Sequence, residues 1–201
     1  MGTQVGATCG LFAVNHLLVS ALAVGASATE ILTKTRFEFM ALNAGLADTP
    51  AHLIQPGGAN YDVSVLNYHF DEQDLRCHPM LPAELQGTTP EDARLQKPFQ
   101  DYMFAGRRYR TVGYLLRTPQ CGGHWISVLP PIVLGVEPTD ALTGVLCDSL
   151  ESTPFQLAQR DLEDLLTACA LEGADLRDGR DPNGRNIRWG CFMVTDAGSE
   201  V

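Results

Sequence analysis

A chain of 201 residues with 45% apolar and 19% charged side chains has room for one domain with a proper core. Fourteen basic against 24 acidic side chains leave a formal charge of −10, which argues against general nucleic-acid binding and otherwise reads as a solubilising surface. No apolar run is long enough to cross a membrane, because Leu11 to Val24 is broken by Asn15, His16 and Ser20.

The first predicted helix runs from about Cys9 to Val24 and is nearly all apolar, so it is expected to be central and buried. A second is expected to open at the capping-box pattern Ser27-Ala28-Thr29-Glu30 and to end near Ala44, where Gly45 stops it. Leu46 to Asn60 contains Pro56-Gly57-Gly58 and reads as a loop. Asn60 or Asp62 then caps a short helix with Val63, Leu66 and Phe70 on one face. Arg76 to Tyr109 is the least legible stretch, with one more helix start at Thr89-Pro90-Glu91-Asp92.

Beyond it the pattern turns to strands: Thr111 to Leu116, His124 to Leu129 and Gly144 to Cys147. Thr153-Pro154 is expected to open a helix with Leu162, Leu165, Leu166 and Cys169 on one stripe. Asp175 to Arg188 is polar and reads as a surface loop, and Trp189 to Thr195 as a last strand. Helices first and strands later imply an α+β fold with an antiparallel sheet, organised as a single domain over residues 1–201.

Six cysteines are scattered among apolar neighbours, and Met1-Gly2-Thr3-Gln4 shows no signal-peptide pattern. Reduced thiols in a cytosolic or nuclear setting are therefore expected. The abrupt start also points to a domain cut from a longer chain.

The chemistry-bearing residues fall into one ordered set. Cys9 follows small and flexible residues and opens an apolar helix, where orphan backbone N–H groups and the helix dipole favour a thiolate nucleophile. His124 begins a strand after Gly122 and Gly123, which leave room for a substrate backbone, and can move the thiol proton. Asp148 ends the next strand, and an antiparallel neighbour brings such a carboxylate to the imidazole. Gln4, five residues before Cys9, can share a developing oxyanion with the Cys9 N–H. Trp125 reads as packing beneath the imidazole, with some contact to a narrow substrate channel.

Other residues carry weaker signals. His16 lies about 10 Å beyond Cys9 along the helix axis and reads as a packing residue. Cys121-Gly122-Gly123-His124 has the spacing of half a zinc site, but Cys77-His78 is a poor second pair, so no metal is expected. Arg107, Arg108 and Arg110 read as a solvated cluster, with contact to an acidic substrate patch as the functional alternative.

Gln-x4-Cys opening a helix, His-Trp beginning a strand and Asp ending the next resemble papain-fold cysteine peptidases, and more closely the Josephin family of deubiquitinating enzymes. The run Cys9 to Leu18 is similar to that family's nucleophile helix, with its Asn-x-Leu-Leu ending. Gly58 to Leu66 is similar to its Gly-Asn-Phe/Tyr-Asp-x-x-Val-Leu segment, His124 to Val128 to its histidine strand, and Asp148-Ser149-Leu150 to its third-residue strand. The matches lie between Gln4 and Val194 in the family's order.

The resemblance implies a Josephin-like fold whose helical N-terminal part packs on an antiparallel sheet. It implies cleavage after the C-terminal glycine of ubiquitin by Cys9, His124, Asp148 and Gln4, with Gly122, Gly123 and Trp125 lining the channel and no cofactor. A peptidase for a ubiquitin-like modifier or a polyprotein, or a non-catalytic ubiquitin-binding module, are the alternative readings. The chain departs from the family at Pro79 to Arg108, which has no counterpart, and at Pro130 to Thr143, which lengthens the turn between the His and Asp strands. The region between the first and third helices is also short.

Overall fold

The computed structural model describes residues 8–26, 31–54, 61–80, 98–104, 106–118, 124–139, 141–175 and 190–200. Helix α1 spans Cys9–Ala23, close to its predicted bounds. It buries nine residues from Cys9 to Ala21, while Val19 and Leu22 reach the surface.

Helix α2 spans Lys34–Asn43 and starts later than expected. Its cap is Thr33, whose hydroxyl accepts the Arg36 N–H, while the predicted capping box lies outside the described residues. The residue before that cap is held by tertiary contact: Asn15 of α1 exchanges hydrogen bonds with both backbone groups of Leu32, at 2.8 and 2.9 Å. Gly45, at φ +74, follows α2 in the left-handed conformation that ends helices.

A 3-10 turn at Pro50–Leu53 leads to helix α3, Val63–Asp71. Asp62 caps α3 by accepting the Ser64 N–H at 2.9 Å. Strands β1 (Leu75–Pro79), β2 (Tyr102–Phe104) and β3 (Arg107–Tyr109) occupy the illegible middle, where no strand was expected. The Thr89-Pro90 helix start lies outside the described residues. Strands β4 (Thr111–Thr118), β5 (His124–Leu129) and β6 (Gly144–Cys147) follow the predicted runs. Thr153-Pro154 opens a strand rather than a helix, β7 (Phe155–Leu157), and helix α4 begins only at Gln159–Asp175. Strands β8 (Cys191–Asp196) and β9 (Ser199–Glu200) complete the described chain.

Among the described residues, six strands form one antiparallel sheet in the order β1-β8-β4-β5-β6-β7, and β2-β3-β9 form a second small one. Side chains alternate across the large sheet. Leu115, Trp125, Leu129, Val145, Cys147, Phe192 and Val194 face the core built with α1, α2 and α3. Tyr114, Leu116, Ile126, Val128, Cys191 and Met193 face α4, through Leu162, Leu166, Cys169 and Ala170. The fold is thus α+β with helices on both faces of the sheet; α4 covers the side that a purely N-terminal helical layer would have left open.

Candidate active site

Cys9 is the first residue of α1, so its sulfur lies where backbone N–H groups have no intrahelical acceptor. The helix start is pressed tightly into the core: a Cβ on Gly10 would sit 3.1 Å from Leu66 Cδ1 and 3.4 Å from Tyr61 Cβ. The lack of a side chain at Gly10 is what lets α1 approach Tyr61 and α3 there. Opposite, the Trp125 backbone N–H donates to Cys9 Sγ at 3.5 Å. That contact joins the first turn of α1 to the first turn of strand β5, beside His124.

Cys9 and His124 are both buried. Burial pushes the Cys9 thiol up, against the hydrogen bonds of the Trp125, Gly10 and Cys9 backbone, which pull it down; the Asp148 carboxylate adds a further upward push. The helix N-terminus does bear on the sulfur as expected, but it does not produce a resting thiolate, because loss of hydration outweighs three N–H dipoles.

His124 Nε2–H donates to Asp148 Oδ1 at 2.7 Å. The register explains how they meet: Ser127 pairs with Cys147 across β5 and β6, so Asp148 continues the chain one step toward the His124 end. Asp148 is itself held, its Oδ1 accepting the Leu150 N–H at 2.8 Å. With Nε2 committed to the carboxylate, Nδ1 is the imidazole nitrogen left to exchange a proton with a thiol. Trp125 is buried and its indole N–H donates to the Tyr61 carbonyl at 3.0 Å, tying the start of β5 to the start of α3.

Of the residues expected to form a site, Cys9 meets the backbone of Trp125, the residue after His124, and His124 meets Asp148. Gln4, Gly122 and Gly123 lie outside the described residues, as does Cys121 of the half zinc motif. Among the described residues no three His, Cys, Asp or Glu side chains cluster as metal ligands. Cys9, Cys77, Cys147, Cys169 and Cys191 are thiols rather than disulfides.

The arginine cluster stays at the surface as expected, with Arg107 and Arg108 exposed on β3, and finds partners within the chain. Arg108 pairs with Asp101, Arg107 donates to the Gly198 carbonyl, and Arg110 donates to the Val24 and Gly25 carbonyls at the C-terminus of α1. A guanidinium there satisfies orphan carbonyls and complements the negative end of the helix.

Two polar contacts between α1 and the sheet were not foreseen. Ser20 Oγ–H donates to the Val112 carbonyl at 2.5 Å, and His16 Nδ1 shares a 3.1 Å hydrogen bond with Ser127 Oγ. The signal was present in the sequence: Ser127 interrupts an apolar strand at a position facing the core, and such a hydroxyl requires a partner. Alongside runs a groove of about 330 Å³ between α1 and the sheet, lined by Phe12, His16, Val19, Leu129, Val145 and Cys147 among others. Compared with known proteins, the chain matches no family model, and no curated protein matches it.

Proposed function

We propose that this chain is a cysteine-dependent hydrolase of papain-like, Josephin-like type that cleaves the bond after the C-terminal glycine of ubiquitin. The observation that carries the reading is the 3.5 Å contact between Cys9 Sγ and the Trp125 N–H, with the adjacent His124 bonded to Asp148 at 2.7 Å. The proposed nucleophile, base and orienting carboxylate thus come from three separate elements, linked through the Trp125 backbone and the His124–Asp148 bond.

In the chemistry this supports, His124 Nδ1 takes the thiol proton as the sulfur bonds to the substrate carbonyl carbon. In this reading Gln4 and the Cys9 N–H hold the oxyanion that forms. The imidazolium returns its proton to the departing amine, the C–N bond breaks and an acyl thioester remains. Water then attacks, giving a proton to His124; the C–S bond breaks and the proton passes back to the sulfur. Burial favours the protonated sulfur at rest, so the reading needs His124 to take the thiol proton. Asp148 holds the imidazole throughout and stabilises its charged form.

Ubiquitin carrying a C-terminal electrophile tests the reading directly. It is expected to label Cys9 in the parent protein and neither Cys9→Ala nor His124→Ala. No label on folded parent protein would remove deubiquitination. A thiol that still depends on His124 while the ubiquitin probe stays inert would redirect the substrate to another peptide or modifier.

A further inference from the structure

The placement of α1 on the sheet shows what holds the nucleophile in register. Cys9 meets Trp125, His16 meets Ser127, and Val19 lines the same groove as Leu129, so α1 and β5 run side by side in the same direction. The lengths agree: Cys9 to Val19 advances about 15 Å along a helix, and Trp125 to Leu129 about 13 Å along a strand. Cys9, Phe12, His16 and Val19 follow an i, i+3, i+7, i+10 spacing and share this stripe.

Interdigitated side chains normally fix a helix on a sheet. Leu17, Leu18 and Ala21 pack α1 in this way, but apolar contact is non-directional, and a groove of about 330 Å³ runs along this stripe beside it. A directional bond between His16 and the fully buried Ser127 lies beside that groove. Among the described residues it lies closer in sequence to Cys9 than the other side-chain ties of α1 to the sheet region, Ser20 with Val112 and Arg110 with Val24.

We propose that His16 and Ser127 are positioning residues, forming a strut that sets α1 against β5 so that Cys9 Sγ stays on the Trp125 N–H beside His124. The role is one of placement: the atom that matters is a hydrogen-bonding group at the position of Nδ1, not a titrating imidazole. The inference rests on the hydrolase reading, since it assigns Cys9 as nucleophile.

The test follows iodoacetamide alkylation of Cys9 against pH, read at the Cys9 peptide by mass spectrometry, with folding checked by near-ultraviolet circular dichroism. Changes in access scale the rate at every pH, whereas loss of the N–H contact moves the midpoint. Ser127→Ala and His16→Leu are expected to raise that midpoint by about one pH unit, a tenfold slower reaction below it. His16→Asn places a polar atom near Nδ1 and is expected to restore the parent midpoint. The double variant His16→Leu, Ser127→Ala is expected to shift it no further than either single change.

Folded Ser127→Ala and His16→Leu proteins with the parent midpoint would overturn the strut. So would His16→Asn shifting as far as His16→Leu, which would assign the imidazole its own proton chemistry. His124→Ala separates the two levels: ubiquitin-probe labelling of Cys9 that survives this substitution would sink the hydrolase reading, whatever Ser127→Ala does to the midpoint.

Discussion

Cys9 Sγ accepts a hydrogen bond from the backbone N–H of Trp125, 116 positions later in the chain. The contact fixes the sulfur relative to the peptide unit that follows His124, so Cys9 and His124 are placed by backbone geometry. Burial of that sulfur opposes ionisation more strongly than three N–H groups favour it. Alkylation of Cys9 should therefore climb with pH through and above the ordinary thiol range. A rate already at its plateau at pH 6 would show a resting thiolate and contradict this balance.

Asp148 acts on two groups with opposite consequences. Its carboxylate accepts from His124 Nε2–H and also raises the Cys9 thiol. Asp148→Asn keeps an acceptor for the imidazole and removes the negative charge, so the Cys9 alkylation midpoint should fall. Turnover should fall too, because the imidazolium formed during attack loses its counter-charge. Asp148→Ala should lower turnover further, by about a hundredfold or more, as the ring also loses its orientation. Equal turnover for the Asn and Ala variants would indicate that orientation contributes nothing.

Trp125→Phe removes the indole N–H that meets the Tyr61 carbonyl and leaves that buried acceptor without its donor. A loss of about 1–3 kcal/mol is expected in urea unfolding. The ubiquitin-probe rate should drop with it, because the same tie holds the start of β5. Parent stability in this variant would mean that the carbonyl is satisfied some other way.

Gly113 of β4 is crowded by both β5 and α1. A Cβ there would lie 2.6 Å from the Val128 carbonyl oxygen and 2.7 Å from Leu17 Cδ2, and the β4–β8 register shifts at this point. One of the two clashing atoms belongs to backbone paired within the sheet, so relief requires strand or helix to move. Gly113→Ala should cost about 2–4 kcal/mol, readable as a lower Tm. An unchanged Tm would show that β4 and β5 absorb the added carbon without penalty.

Acid should destabilise the fold through two buried imidazoles. Burial lowers both His16 and His69 to about 4, and the His69 ring stacks on Phe37 at 3.8 Å. Between about pH 6.5 and 4 the unfolded chain binds protons that the folded chain refuses, so stability falls as pH drops through that window. The gap corresponds to on the order of 3 kcal/mol per histidine by pH 4. His69→Phe should flatten the dependence of unfolding free energy on pH across the window. The same slope in that variant would exclude His69 as a contributor.

Where a local rule acts alone, the elements could be read in advance. Apolar periodicity placed α1 and strands β4, β5 and β6, and Asp62 capped α3 as its position required. The rule failed where a tertiary contact competed. Thr33 caps α2 in a segment whose Leu32 backbone is bound by Asn15 of α1. Phe155–Leu157 pairs with β6 instead of starting a helix, and β1, with His78 and Pro79, is a strand by virtue of pairing with β8.

The same division runs through the site. The order Cys9, His124, Asp148 and the residue types suited to nucleophile, base and orienter are properties of the chain itself, since reactivity belongs to side-chain chemistry. Only folding decided that Asp148 faces His124, that Trp125 offers its N–H to Cys9, and that His16 reaches Ser127. These depend on strand register and helix height, which distant contacts set and no local pattern encodes. The protonation of Cys9 belongs to the second group as well, because desolvation comes from what the whole structure packs around the sulfur.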